Sequence, residues 1–474
     1  MNSDRISTPQ KSLQINLDAT KHGTFAEIGA GQEVARWFFH VGGAAGTVAK
    51  TISAYDMAVS DAIYGPSDRY VSRHRLQAML DHEYELLLQQ LDQKRGTTTS
   101  FFVFADTIAT RSYSRHEEGR GWMGLRFRHK PREDPSQVII HVRMLDTENA
   151  LQQEALGLLG VNLIYGALYH YHEPNALIGS LMDDLTRKRI EIEMIKFSGH
   201  CFADVDNRLM SLQLVQQNFT DASMFTDKEE IVQPAEVLYK KSVLVQRGTF
   251  RPITHLAKDM LDRASKQFIS ESSKAEGRPL VVTEMSLRNL LTGDRIDHSD
   301  FLARVDILGM LGKTVMISNF ARYFPLVAYL RRYTPRSIAF TMGIPNLREL
   351  FEEKYYSDLR GGTLEGLGRL FDDHVKLYVY PYKDPATGNL ITVGNMSIAP
   401  KLQHLYAYLQ ENQQIKAIDD VDESQLYISP RDVLAKIQGG DPSWERLVPS
   451  QAVQLIKDGK YFGYQPSEES APPR

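Results

Sequence analysis

Ile190-Glu191-Ile192-Glu193-Met194-Ile195-Lys196-Phe197 alternates apolar and charged residues, and Ser198-Gly199-His200 breaks the run. Asp204-Val205-Asp206-Asn207-Arg208 then leads into an apolar stretch over 209–215. The order is strand, polar turn, capped helix start, helix. Open-sheet and barrel folds place ligands at such hand-overs, because the unpaired amides of the first helical turn face the mouth of the site.

C-terminal to this stretch the two patterns keep alternating. Strands are expected at 242–246, 280–285, 314–318, 337–341 and 375–380, with helices at 254–271, 299–311, 323–333 and 346–356. The alternation predicts an α/β fold with a largely parallel sheet, either open or a partial or complete (β/α) barrel. On the N-terminal side an amphipathic helix is expected at 72–93, with Leu76, Met79, Leu80, Tyr84, Leu87 and Leu88 on one face. Strands follow at 100–109, 122–128 and 138–144, and helices at 147–159, 161–171 and 174–185. The resulting plan is a flexible tail (1–22), an N-terminal α+β domain (23–146), an α/β domain (147–390) and a C-terminal helical appendage (391–474).

The 474 residues include 55 basic and 59 acidic side chains, a formal charge of −4 that argues against a mainly electrostatic grip on nucleic acid. The lone cysteine, Cys201, excludes an intramolecular disulfide and a cysteine-rich metal site. The polar first 18 residues lack the apolar core of a signal peptide, and no apolar run reaches the roughly 18 residues of a membrane span, so the cytoplasm is expected.

In parallel α/β folds functional side chains gather at the carboxyl ends of strands. Those ends are Ser198-Gly199-His200, Gln246-Arg247-Gly248, Glu284-Met285-Ser286, Ser318-Asn319-Phe320, Thr341-Met342-Gly343 and Tyr380-Pro381-Tyr382-Lys383. Asp206 and Asn207 suit an N-cap; alternatively, Asp206 holds a hydroxyl or a magnesium ion while Arg208 clamps a phosphate. Lys240, Lys241, Arg247 and Arg251 flank one short strand, which fits either an anionic ligand or a surface edge. Arg126, Arg128, His129 and Lys130, with the basic loop 111–120, read as a solvated sheet face or as a phosphate surface. Gly29-Ala30-Gly31 lacks the third glycine of a dinucleotide fingerprint and reads as a turn. Tyr169-His170-Tyr171-His172 lacks metal-ligand spacing.

At Thr24-Phe25-Ala26-Glu27-Ile28-Gly29-Ala30-Gly31-Gln32-Glu33-Val34-Ala35-Arg36, over 204–215, at Thr314-Val315-Met316-Ile317-Ser318-Asn319-Phe320 and at Glu353-Lys354-Tyr355-Tyr356, the chain resembles a bacterial family of about this length. Its members have been described both as TonB-dependent receptors and as nicotinate-nucleotide adenylyltransferases. The receptor description requires a signal peptide and many alternating ten-residue strands, which helical patterns replace here, and it is rejected. The adenylyltransferase description implies a doubly wound fold whose first strand leads to a Gly-x-Phe-x-Pro-x-His-x-Gly-His loop. Gly23-Thr24-Phe25 begins in that way, then departs with Ile28-Gly29-Ala30 and no histidine pair; the only Gly-His is Gly199-His200.

The expectation from residues and resemblance together is an enzyme acting on a phosphorylated or nucleotide substrate, by nucleotidyl or phosphoryl transfer in NAD-related metabolism. Asp206, Glu284 and His200 are its candidate catalytic residues. Asn207, Arg208, Lys240, Lys241, Arg247, Arg251, Ser318, Asn319, Thr341 and Gly343 are its candidate ligand contacts, with Mg2+ the candidate cofactor and a homo-oligomer one candidate assembly. The alternative is a non-catalytic metabolite sensor or scaffold on the same fold.

Overall fold

The computed structural model describes residues 6–111, 118–271, 277–372 and 374–465, and the chain divides into two compact units, Met1–Asp221 and Ala222–Arg474. The first unit runs α1 (Thr8–Leu17), β1 (Lys21–Ile28), α2 (Glu33–His40), β2 (Val48–Ile52), α3 (Met57–Tyr64), α4 (Arg73–Arg95), β3 (Ser100–Ala109), β4 (Gly119–Phe127), β5 (Ser136–Met144), α5 (Asn149–Tyr169), α6 (Pro174–Ser180), β6 (Ile190–Gly199) and α7 (Asn207–Gln216). Its six-stranded sheet has the order β2-β1-β3-β4-β5-β6. β1 lies parallel to β2 and β3, while β3 to β6 form an antiparallel meander.

Three expectations change in this unit. The strand at 190–199 does not open the parallel run; β6 is the antiparallel edge of the first sheet, so the compact units part after Asp221 rather than at 146. Period-2 alternation specifies a half-buried strand but not the direction of its neighbour. The expected tail contains α1 and the first residues of β1: Lys11, 1% exposed, donates to Asn162 (2.8 Å) and pairs with Asp183 (2.7 Å). Residues 1–5 of that tail, the core of the basic 111–120 loop and the polar end 466–474 lie outside the described residues. The two helices expected at 147–171 are one, α5, buried all round from Ala155 to Leu168. Gly160 is no helix break: a Cβ there would lie 2.3 Å from Val34 Cγ2, so its bare backbone is what lets α2 approach.

The second unit runs β7 (Ala222–Phe225), β8 (Ile231–Val232), α8 (Pro234–Leu238), β9 (Val243–Arg247), α9 (His255–Glu271), β10 (Leu280–Ser286), α10 (Leu287–Leu290), β11 (Leu291–Thr292), β12 (Arg295–Ile296), α11 (His298–Met310), β13 (Thr314–Ser318), α12 (Tyr323–Arg331) and β14 (Ile338–Gly343). It continues with α13 (Ile344–Leu350), α14 (Gly362–Leu370), β15 (Val375–Tyr380), β16 (Tyr382–Lys383), β17 (Leu390–Ile391), α15 (Gln403–Glu411), β18 (Ile415–Ala417), α16 (Pro430–Gln438) and α17 (Ser450–Gly459). Its eight-stranded sheet has the order β18-β15-β14-β9-β10-β13-β7-β8 and stays open; the barrel alternative is excluded. Six strands, β18 to β13, are parallel, and β7 and β8 add an antiparallel edge. The helical appendage therefore contributes the sixth parallel strand, β18, too short at three residues to show a period.

Counted along the chain, the parallel strands stand in the order 6-5-4-1-2-3, the doubly wound arrangement. The chain proceeds outward from β9 through β10 to β13, then returns to the other side of β9 and proceeds through β14 and β15 to β18. Connections leave β9 and β14 in opposite directions, which opens a crevice at their carboxyl ends. Both faces of this sheet are covered. Val243, Val245, Phe340 and Val379 face one core, and Leu244, Ala339, Tyr378 and Tyr380 face a second, built on α9.

Candidate functional site

A cleft of about 720 Å³ opens at this switch point, lined by the ends of β9, β14 and β15, the first turn of α9 and residues 426–432. Phe250, Tyr382 and Tyr427 put aromatic rings on its wall, with prolines at 252, 345, 381, 385 and 430, so the lining is mostly apolar with a few polar groups. Its size falls within the roughly 300–1,000 Å³ of small-molecule sites. Thr254 caps α9, its hydroxyl accepting from the Ala257 amide (3.2 Å) and its carbonyl from Lys258 (3.0 Å).

The last two residues of β9 point to opposite faces. Gln246, 3% exposed, turns toward α9, where its Nε2 donates to the Ala257 carbonyl (2.9 Å) and to Met260 Sδ (3.6 Å). That bond fixes the carboxamide's orientation and leaves Oε1 without a hydrogen-bond partner. Thr341, its in-register neighbour on β14 and 1% exposed, likewise has an unpartnered hydroxyl oxygen. Each such shielded polar atom costs about 1–3 kcal/mol.

Arg247 turns the other way and is committed. It grips Glu284 with Nε to Oε2 (2.5 Å) and Nη2 to Oε1 (3.0 Å), and its guanidinium stacks on Tyr323 at 4.7 Å. Ser318 donates to the same carboxylate (2.5 Å), which is 0% exposed. Adjacent parallel strands bring these groups together, since Glu284 stands in register with Arg247 across β9 and β10. Burial pushes the Tyr323 hydroxyl up to about 12. The expected base and phosphate clamp at this end of the sheet thus satisfy each other.

The remaining predicted residues fall in different places. His200, Asp206, Asn207 and Arg208 belong to the first unit and are not among the residues lining the cleft. Asp206 is the N-cap of α7, accepting from the Arg208 amide (2.8 Å) and pairing with the Arg208 guanidinium (2.8 Å). Burial raises its pKa, but the Arg208 hydrogen bonds outweigh that and hold it below the ordinary value. Asn207 ties the helix start to β6, accepting from Phe197 N (2.7 Å) and donating to Phe197 O (3.0 Å). His200 is exposed, and burial pushes the neighbouring Cys201 thiol up, away from nucleophilic use.

The four cations around β9 separate by strand end. Lys240 and Lys241 precede its amino end, Arg247 closes its carboxyl end, and Arg251 pairs with Asp300 (2.5 Å). Asp300 also holds the buried Arg304 (2.8 Å), which donates to the Thr249 carbonyl (3.1 Å) and so braces the β9–α9 loop. Asn319 follows β13, and Gly343 is the N-cap of α13 on the cleft wall. The cations at 126, 128 and 130 are paired: Arg126 with Asp81, Arg128 with Asp92 (3.2 Å) and Lys130 with Glu133 (3.6 Å). His129 meets the Tyr171 hydroxyl (2.7 Å), and among the described residues no group of three or more His, Cys, Asp or Glu could hold a metal.

Sequence reasoning named the strand ends but missed the wall at Tyr427, Ser429 and Asp432, which comes from the start of α16 and the residues before it, remote in the chain. Asn346, three residues beyond β14, was within reach of the rule that ligands sit after strands. The first unit also buries a carboxylate pair. Glu27, on β1, accepts from the amides of Val34 and Ala35 (2.9 Å each) at the start of α2, beside Asp106 on β3. Burial, against those two amides, pushes Glu27 up to about 7, and burial and Glu27 raise Asp106 well above the ordinary carboxylate range.

Among the described residues no helix is long and apolar enough to cross a membrane. No protein-family model matches the sequence, and comparison with curated proteins gives no match. Solved structures with a partial likeness include a competence-damaged protein (CinA) superfamily protein from Enterobacter cloacae, at TM-score 0.25 and 14% identity over 35% of this chain and 96% of that one. They also include a proposed nicotinate-nucleotide adenylyltransferase from Vibrio parahaemolyticus, at TM-score 0.25 and 13% identity over 48% of this chain and 97% of that one.

Proposed function

We propose that the second unit binds a nucleotide-class ligand in the switch-point cleft. The observation that carries this reading is the position of the cleft: it opens at the carboxyl ends of the two strands where the winding reverses, the crevice doubly wound sheets use for ligands. Phe250, Tyr382 and Tyr427 supply ring surfaces for a base, Thr249 and Asn346 polar edges for a sugar, and Lys383 a cation for phosphate. Magnesium would enter with the phosphates, where Asp384 and Asp432 are the carboxylates on the wall.

One observation favours binding without turnover. Glu284 is locked by Arg247 and Ser318, and Asp384 is engaged by the Ala386 amide (3.0 Å) and the Thr387 hydroxyl (2.9 Å). Nucleotidyl or phosphoryl transfer in NAD-related metabolism is the competing reading, and the experiment separates the two. Nucleotides and NAD precursors are titrated with and without magnesium, following the thermal midpoint and released phosphate or pyrophosphate. A midpoint rise that Tyr382→Ala abolishes, without product, supports a sensor; product formation makes it an enzyme. No rise with any nucleotide overturns the proposal.

A further inference from the structure

Of the seven residues joining β9 to α9, six line the switch-point cleft: Gly248, Thr249, Phe250, Pro252, Ile253 and Thr254. The seventh, Arg251, is not on the wall and pairs with Asp300 instead. Resting on the nucleotide reading, we propose that the Arg251–Asp300–Arg304 cluster sets the affinity of the cleft without touching the ligand, by holding this loop in its ligand-ready shape.

Phe250 is the residue that needs holding. Its φ of 47° lies in the left-handed region, where a Cβ crowds the residue's own backbone and a bulky side chain is an outlier. Such a conformation persists only where the surroundings over-determine it, and here they do so from both sides. On the residue before, the Thr249 carbonyl accepts from Arg304 Nη1 (3.1 Å); on the residue after, the Arg251 guanidinium pairs with Asp300 (2.5 Å). The two anchors meet, since Arg304 grips the same Asp300 carboxylate with Nε (2.8 Å) and Nη2 (3.1 Å). Arg304 is buried and also donates to the Asn289 carbonyl (2.8 Å), which fastens the loop to α10. The ring placed in this way folds back over Gly248, where a Cβ would lie 3.0 Å from Phe250 Cζ. Released, the loop would relax toward ordinary backbone conformations and carry the ring off the wall. A ligand would then have to restore the shape as it bound, and its affinity would fall by that cost. Arg304, like Arg251, is not among the lining residues, so such a loss would not come from a lost ligand contact.

The test uses the full chain with AMP, CMP and nicotinamide mononucleotide as probes in isothermal titration, and hydrogen exchange of residues 248–254 without ligand. Arg251→Met breaks the anchor after Phe250 and Arg304→Met the one before. Both should speed exchange in the loop and weaken binding of the probe that wild type takes by about tenfold. Arg251→Lys keeps a charge facing Asp300 and should recover most of that affinity. Val315→Ala, buried in β13 and off the cleft wall, lowers stability but should leave affinity and loop exchange as in wild type. If Arg304→Met does not fold, the two Arg251 variants decide. Wild-type affinity in folded Arg251→Met overturns the proposal; so does an equal loss in Val315→Ala, which would mark the cluster as structural. Binding of no probe by wild type defeats the nucleotide reading and the affinity claim with it, and faster loop exchange in Arg251→Met would then credit the cluster with the loop's shape alone.

Discussion

Glu284 is the residue on which the second sheet's carboxyl edge depends. Its carboxylate is fully buried and answers one guanidinium and one hydroxyl from the two flanking strands. Glu284→Gln leaves the Arg247 charge buried and unpaired, a loss of about 3–5 kcal/mol. Ser318→Ala removes the hydroxyl that donates to Glu284 and accepts from the Phe320 amide (3.3 Å) and should cost about 1.5–3 kcal/mol, so Glu284→Gln should lower the urea midpoint more than Ser318→Ala does. Glu27 predicts a pH effect in the first unit. Its folded value, about 7, lies above the ordinary carboxylate value, so through that interval the native state holds a proton the unfolded chain has released. The Glu27 contribution to stability therefore falls as pH rises from about 5 to about 7, with Asp106 adding the same sign, while His22, His129, His170 and His255, held below their ordinary value chiefly by burial, act in the opposite direction over the same interval. The depressed carboxylates, Asp206 among them, have completed their contribution at lower pH. Chemical denaturation across pH 5–8 should show wild type losing stability relative to Glu27→Gln as the pH rises; parallel profiles would remove the assignment.

At the scale of elements, close approach outweighs propensity. Gly160→Ala improves helix propensity by about 1 kcal/mol. The added methyl would meet both Val34 and Phe104, at 2.3 and 3.1 Å, and overpacking costs about 1–3 kcal/mol. We expect a lower thermal midpoint despite the better helix former. Elements of the second unit were legible because each βα step carries its own period: β13 and β15 fall at 314–318 and 375–380, as the alternation predicts. The partner of β6 was not legible, since its alternating residues would suit either sheet and only the meander from β3 fixes its place. The cations around β9 show the same limit. Composition revealed four charges near one strand, but strand polarity put Lys240 and Arg247 at opposite ends.

At the scale of the molecule, each unit has its own sheet, and every residue lining the switch-point cleft lies beyond Ala222. A fragment of residues 222–474 should therefore fold and bind the ligand of the full chain with similar affinity, measured by titration of both proteins side by side. Loss of affinity in a folded fragment would show that the first unit completes the site. The winding order could not be read from the sequence, because the reversal at β9 is set by which strands pair and not by any residue pattern within them. The Asn207 side chain has one more consequence. β6 is the outermost strand of its sheet, and the Asn207 carboxamide occupies both the N–H and the C=O that Phe197 turns outward, while Ile192 N is taken by the Phe219 carbonyl. A neighbouring chain seeking to add a strand there finds those bonds already made, so α7 and its flanking loop blunt this edge of the sheet.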